Sequence, residues 1–328
     1  MKKLIMPLLA GALALTSATG ALALDPIKLQ IKWVTQSQFA GYYVAKAKGY
    51  YEAEGLDVTI LPGGPTTPVP PVLAAGGADV AVEWAGNALI AREKGIKMVN
   101  IAQPFRNGGL ELICPKDGPI KTEADFPGHT LGSWFYGNEV PFFAWMHKLG
   151  YSTEGGPNGV TVLQQNFDVS ALVQHQADCI SVMTYNELGQ AADAGFTADK
   201  IIEFNYSAMG NGLLEDGLYV LEEKLADPKF KEDMVKFVRA SMKGWDYALA
   251  NPDESAQIVV DADDAGAATL AHERYMVGEV AKLMAGANGV LDKATWDRTV
   301  QALLDQKFLT APPDATAYTT EITDAAFK

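Results

Sequence analysis

Apolar and polar residues alternate across residues 27–33 and again at Leu56, Val58 and Ile60, the two-residue period of strands with one buried face. Between them Phe39, Tyr43, Val44, Ala47 and Tyr51 recur at helical spacing, and Gly55 stands where a helix ends. Pro70 and Pro71 suit the first turn of a short helix that Gly76 and Gly77 close. Residues 80–82 read as a buried strand, 85–94 as a helix stopped by Gly95, and 97–103 as a further strand. This order predicts a mainly parallel sheet with helices on both faces. The pattern restarts after Cys114, with strands at 129–133, 160–163, 179–183 and 201–204 and helices at 141–149, 169–175 and 185–194. Beyond Leu218 the periodicity is helical, at 229–250, 252–260, 267–285 and 293–305. Such helices must bury their apolar stripes, so the tail is expected to pack back on an existing sheet. The fold class is α/β, two lobes with a cleft between them and a helical C-terminal region.

The first residues have a different character. Lys2 and Lys3 precede an apolar run at 4–15 and the small-residue site Ala21-Leu22-Ala23, the layout of a secretory signal peptide cut after Ala23. No cysteine follows that site, so a free periplasmic protein is expected. About 305 mature residues exceed what one core usually holds, which also argues for two lobes. Among all 328 residues 26 are basic and 40 acidic, a net charge of −14. Losing Lys2 and Lys3 leaves 24 against 40, or −16, which disfavours nucleic acid and anionic membranes as partners. Cys114 and Cys179 both lie in apolar runs that read as buried strands. Two buried free thiols are expected, with a disulfide the alternative that export permits.

Ligands of open α/β sheets bind beyond the carboxyl ends of strands. Those ends are rich in aromatics and amides here: Trp33, Gln36 and Gln38; Glu83, Trp84 and Asn87; Ser133 with Trp134, Phe135, Tyr136, Gly137, Asn138 and Glu139; Thr184, Tyr185, Asn186 and Glu187. Aromatic faces stack on planar rings, and amides and carboxylates bond ring edges. Plainer readings stand beside this one. A lone tryptophan is more often core. Thr184 to Glu187 has the T-x-x-E form of a capping box, Asn138 could be an N-cap, and Glu139 a first-turn acid. What favours a pocket is four strand ends carrying the same kind of side chain. The set includes Glu83, Glu139 and Glu187 and no base, which points to a neutral or amine-bearing ligand over an anion. Nucleotide-binding, hydrolase and zinc motifs are missing, and His129, His147, His175 and His272 are scattered. No catalytic residue, metal or cofactor is expected.

The stretch Trp33-Val34-Thr35-Gln36-Ser37-Gln38-Phe39-Ala40-Gly41-Tyr42-Tyr43-Val44-Ala45 resembles the N-terminal signature of NMT1/THI5-like solute-binding proteins. Gly49-Tyr50-Tyr51, Glu54-Gly55-Leu56-Asp57-Val58, Pro62-Gly63-Gly64 and Gly77-Ala78-Asp79 continue it. Residues 183–187 and Leu214-Glu215-Asp216-Gly217 also resemble the family, so the likeness covers most of residues 27–221. It implies a type II periplasmic binding fold that closes about a hinge, with an ABC permease and ATPase as partners and a monomeric state. The implied lobes are 24–114 plus 206–328, and 115–205. Similar proteins bind thiamine-precursor pyrimidines of the formylaminopyrimidine or hydroxymethylpyrimidine type, and others riboflavin; distant ones take sulfonates, taurine or nitrate. Trp33, Tyr42, Trp84, Tyr185 and Glu187 match the pyrimidine-binding pattern best, while the run at 134–139 is bulkier in aromatics than a small pyrimidine calls for. The superfamily also holds a pyrimidine synthase. It carries a histidine where this chain has Phe39 and a cysteine-rich motif where this chain has two separated cysteines, so an enzyme is not the expected reading.

Overall fold

The alternating residues at the start form β1 (Asp25–Gln30), and β2 (Leu56–Leu61) lies parallel beside it with Ile27 opposite Val58. β3 (Val80–Glu83) flanks β1 on its other side, and β4 (Met98–Ala102) completes the run. Ile27, Leu29, Leu56, Val58, Val80 and Val82 are all buried, as their period requires. The helix read across residues 39–51 is two helices, Ala40–Ala47 and Tyr50–Ala53, separated at Gly49. This is a computed structural model that describes residues 23–135 and 137–328; residues 1–22 of the leader expected to end at Ala23, and the candidate Tyr136, lie outside the described residues.

The second unit holds β5 (Leu110–Pro115), β6 (Thr130–Ser133), β7 (Thr161–Gln164), β8 (Ile180–Met183) and β9 (Ile201–Asn205). β5 is central, with β8 and β9 antiparallel on its two sides, while β6 and β7 form a parallel pair bridged to this sheet at Leu131 and Cys179. Residues 110–114 therefore pair in the second sheet, one strand earlier than the crossing expected at Cys114. The chain crosses outward through residues 103–109 and returns through 206–216. A strand that the sequence reading did not include follows the return. β10 (Gly217–Leu221) runs antiparallel between β3 and β4, giving the order β2-β1-β3-β10-β4.

The helical tail packs back on the first sheet, as its amphipathic stripes demand. Pro228–Ala250 starts at Asp227, whose carboxylate accepts from Lys229 N at 2.9 Å, and crosses Ala40–Ala47 closely. Gly41 and Gly244 permit that approach: a Cβ on Gly41 would enter the Trp245 ring, and one on Gly244 would strike the Gly41 carbonyl. Pro252–Ala262, Leu270–Leu283, Lys293–Asp305 and Glu321–Ala326 complete the layer. Among the described residues no helix is long and apolar enough to cross a membrane.

The cysteines correct the expectation of free thiols. Cys114 and Cys179 form a disulfide with their Cα atoms 4.3 Å apart. The cause is strand register: Ile113 pairs with Ile180, which sets Cys114 directly opposite Cys179 on the next step of the antiparallel ladder. The bond closes a sequence separation of 65 residues. On chain entropy alone such a loop contributes about 4 kcal/mol. The variant Cys114→Ser/Cys179→Ser should lose stability of that order in urea unfolding while keeping its fold. Equal midpoints for variant and wild type would show that the crosslink contributes nothing.

Candidate functional site

A narrow slot opens between the two units, walled by residues that follow the carboxyl ends of five strands. Lys32 and Trp33 follow β1, Trp84 follows β3, Trp134 follows β6, Phe167 follows β7, and Tyr185, Asn186 and Glu187 follow β8. It leads outward into a broader basin that shares Lys32, Trp33, Asn138 and Phe167 with it.

On the first wall a short hydrogen-bond chain fixes the side chains. Gln36 Nε2 donates to Gln38 Oε1 at 2.8 Å, and Gln38 Nε2 donates to Asp216 Oδ2 at 2.6 Å. Trp84 Nε1 donates to the other oxygen of Asp216 at 3.2 Å. Lys32 Nζ sits 2.8 Å from Glu83 Oε1 and 5.0 Å above the Trp84 ring. The same Glu83 oxygen accepts from Trp84 N at 2.8 Å and Asn87 Nδ2 at 3.2 Å. Burial pushes the Asp216 carboxyl up to about 6 against the opposing pull of Gln38. It pushes neighbouring Glu215 up to about 8, although Gly109 N donates to that carboxylate at 2.8 Å.

The second wall is aromatic with one acid. Trp134 Nε1 is anchored to the Asn166 carbonyl at 3.1 Å, and its ring lies nearly parallel to Phe167 with centroids 6.1 Å apart. Phe167 in turn meets Trp33 of the first wall at 4.5 Å, tilted by 56°. A second close approach between the walls sets Asn87 beside Gly137, whose φ of 97° and missing Cβ leave the space that the Asn87 amide fills. Glu187 accepts from Met183 N at 3.0 Å and Asn186 Nδ2 at 2.8 Å, and burial pushes its carboxyl up to about 7. Asn186 Oδ1 lies 2.8 Å from His272 Nε2 of the tail helix Leu270–Leu283. The capping box does not form: the helix Glu187–Asp193 begins at an Asn186 cap without a side-chain bond, and the Thr184 hydroxyl has no partner among the described residues. Asn138 is not an N-cap either. Its amide donates to the Phe135 carbonyl at 3.0 Å, while Glu139 precedes the helix Val140–Lys148 and accepts from Gly137 N at 2.7 Å.

Of the expected residues, Trp33, Gln38, Trp84, Trp134, Asn138, Tyr185 and Glu187 line the slot, and Asn87 and Glu139 line the basin. Tyr42 lines neither. It is buried in the core, edge-on to Trp245 at 5.7 Å, because it faces the tail helix and not the strand ends. The expectation of a cleft without a base is corrected by Lys32, which follows β1 and was not counted among the strand-end residues. Phe167 was also missed, although it lies three residues past β7, where the rule of strand ends would have found it. Asp216 carried a resemblance but no role; nothing local in the sequence marks it as the residue that holds Gln38 and Trp84. Among the described residues no three His, Cys, Asp or Glu side chains are grouped to hold a metal ion.

Comparison with known proteins agrees with this architecture. The riboflavin-binding protein RibY of Chloroflexus aurantiacus is 26% identical over 318 residues, covering 91% of this chain and 86% of that protein. The formylaminopyrimidine-binding protein of Halalkalibacterium halodurans is 25% identical over 313 residues, covering 92% of each. The structure of a periplasmic sulfonate-binding protein SsuA from Methylobacillus flagellatus superposes with a TM-score of 0.66 at 12% identity, over 93% of this chain and 94% of that one. The fold is therefore that of the periplasmic binding proteins. The NMT1/THI5-like family profile matches residues 36–255, about two thirds of the chain, and the chain belongs to that family.

Proposed function

We propose that this protein is the exported solute-binding component of an ABC importer and captures a small heteroaromatic nutrient without altering it. A thiamine-precursor pyrimidine and riboflavin are the candidates, in that order from the sequence. The observation that carries the reading is the facing of aromatic rings across the cleft, Trp33 and Trp84 on one wall and Trp134, Phe167 and Tyr185 on the other, with the Glu187 carboxylate among them. The relatives that bind riboflavin and formylaminopyrimidine support it. The first lobe comprises β1 to β4, β10 and the helical tail, and the second β5 to β9. The two crossings act as the hinge, and the closed form docks on the permease. A ring sandwiched between two others needs a centroid separation of roughly 7 Å, twice the ordinary carbon contact. Trp33 and Phe167 stand at 4.5 Å, so the lobes part to admit a ring between them.

A thermal-shift panel of aminopyrimidines, thiamine, riboflavin, taurine, alkylsulfonates and nitrate tests the reading. A true ligand at a hundredfold excess over its dissociation constant adds about 2.7 kcal/mol to native stability. Pyrimidines or riboflavin should raise the melting temperature, and a response to sulfonates or nitrate alone would overturn the assignment. Trp33→Ala should then weaken the responding ring by about 1–3 kcal/mol, the usual loss of a stacking partner, with little change in the melting temperature of the free protein.

Burial also makes a pH prediction. Glu187 titrates near 4.5 when exposed and near 7 in the fold. Between those values the native state holds a proton that the unfolded chain has released, so this contribution is complete below 4.5 and lost as pH rises through 7. Asp216 and Glu215 act in the same direction. The ligand-free protein should melt several degrees lower at pH 8 than at pH 5, and Glu187→Gln should flatten the slope. An unchanged slope in that variant would remove Glu187 from the account.

A further inference from the structure

Lys32 sits where the two compartments of the cleft meet. Its side chain is 11% exposed and lines both the slot and the basin. Nζ is held from two directions, by Glu83 at 2.8 Å and by the Trp84 face at 5.0 Å. Glu83 is itself pinned through Trp84 N and Asn87 Nδ2, so the ammonium is placed before any ligand arrives. An ammonium has three N–H donors, and the contact with Glu83 is the one hydrogen bond Lys32 makes among the described residues. Its remaining donors are available to whatever enters.

The slot is polarised as a result. Among its described lining residues Lys32 is the one cation and Glu187 the one carboxylate. The charge of Lys32 is already balanced by Glu83, so a ligand gains little by bringing a full negative charge and much by bringing a neutral acceptor with concentrated electron density. A ring carbonyl is such an acceptor. An amino substituent in the same place would set N–H against N–H⁺. Above pH 7, where Glu187 is ionised, its carboxylate asks for the reverse, an N–H donor. A ring that offers both a carbonyl and a ring N–H has a group for each.

We propose that Lys32 is the specificity-determining residue of this cleft and selects oxo-substituted nitrogen heterocycles over their amino-substituted counterparts. This rests on the heteroaromatic reading above and chooses within it. The favoured class is the dioxo ring of a flavin or pteridine, and the aminopyrimidine ranked first by sequence falls behind.

The test is calorimetric titration of the full mature protein with a matched pair, 2,4-dioxopteridine and 2,4-diaminopteridine, alongside riboflavin and an aminopyrimidine. Wild type should bind the dioxo ring at least tenfold more tightly than the diamino ring. Removing Lys32 alone would strand buried Glu83, so the variant is Lys32→Met/Glu83→Gln. It should lose about tenfold to a hundredfold in affinity for the dioxo ring, the usual value of a charged hydrogen bond, and bring the pair within a few-fold of each other. If the double variant does not fold, Lys32→Gln, which keeps an N–H donor toward Glu83, should narrow the preference in the same way. A wild-type preference for the diamino ring, or a preference that survives in the folded variant, overturns the role of Lys32 while the heteroaromatic reading stands. If none of the four rings binds, the heteroaromatic reading fails and this inference falls with it.

Discussion

The Asp216 carboxylate is the point on which the cleft depends. One oxygen accepts from Gln38 and the other from Trp84, so a single buried acid sets the side chains that follow β1 and β3. It lies at the end of the return crossing, with a left-handed φ of 46°, a conformation that Asp tolerates better than most residues. Its neighbour Glu215 binds the outward crossing through Gly109 N, and the Glu215 carbonyl accepts from Gln103 Nε2 at 2.5 Å. Both crossings and both strand ends thus meet in two adjacent acids. Those acids are fully buried, and burial raises their pKa values because the cleft floor solvates a carboxylate less well than water does.

From that floor the walls diverge in how firmly they are held. The first wall is bonded throughout, from Gln36 to Asp216 and from Asn87 to Lys32. The second is fixed to its own lobe, Trp134 through Asn166 and Glu187 through Met183. Contact between the walls includes one tilted aromatic pair and the seat of Asn87 against Gly137. The tail adds further ties to the second unit: Tyr275 Oη donates to the Thr184 carbonyl at 2.6 Å, His272 meets Asn186, and Val140 packs with Ala85, Leu89 and Leu303, so opening the cleft must part all of these contacts.

The second unit also carries a covalent tie between neighbouring strands. The disulfide lies at the far end of β5 and beside the start of β8, the strand whose other end carries Tyr185 and Glu187. The end of β8 that faces the slot is therefore the open end of a clamped ladder.

Periodicity along the chain determined the strands and helices, because a buried face repeats every second residue in a strand and about every 3.6 in a helix. From this followed the two α/β units, the packed tail and the strand ends where seven of the candidate residues line one slot. The same pattern could not distinguish partners. It marked 110–114 as a buried strand but not which sheet it joins, and Cys114 and Cys179 as buried but not that register sets them opposite each other. It passed over the short strand at 217–221, which becomes a strand only because β3 and β4 leave a gap between them. It left Lys32 as one of the polar residues alternating along 27–33 and offered Tyr42 for the pocket. Only the tertiary structure turned Lys32 inward over Trp84 and set Tyr42 against Trp245. Local sequence records whether a residue will leave water, whereas the identity of what it then meets depends on distant segments, as Trp245 is for Tyr42.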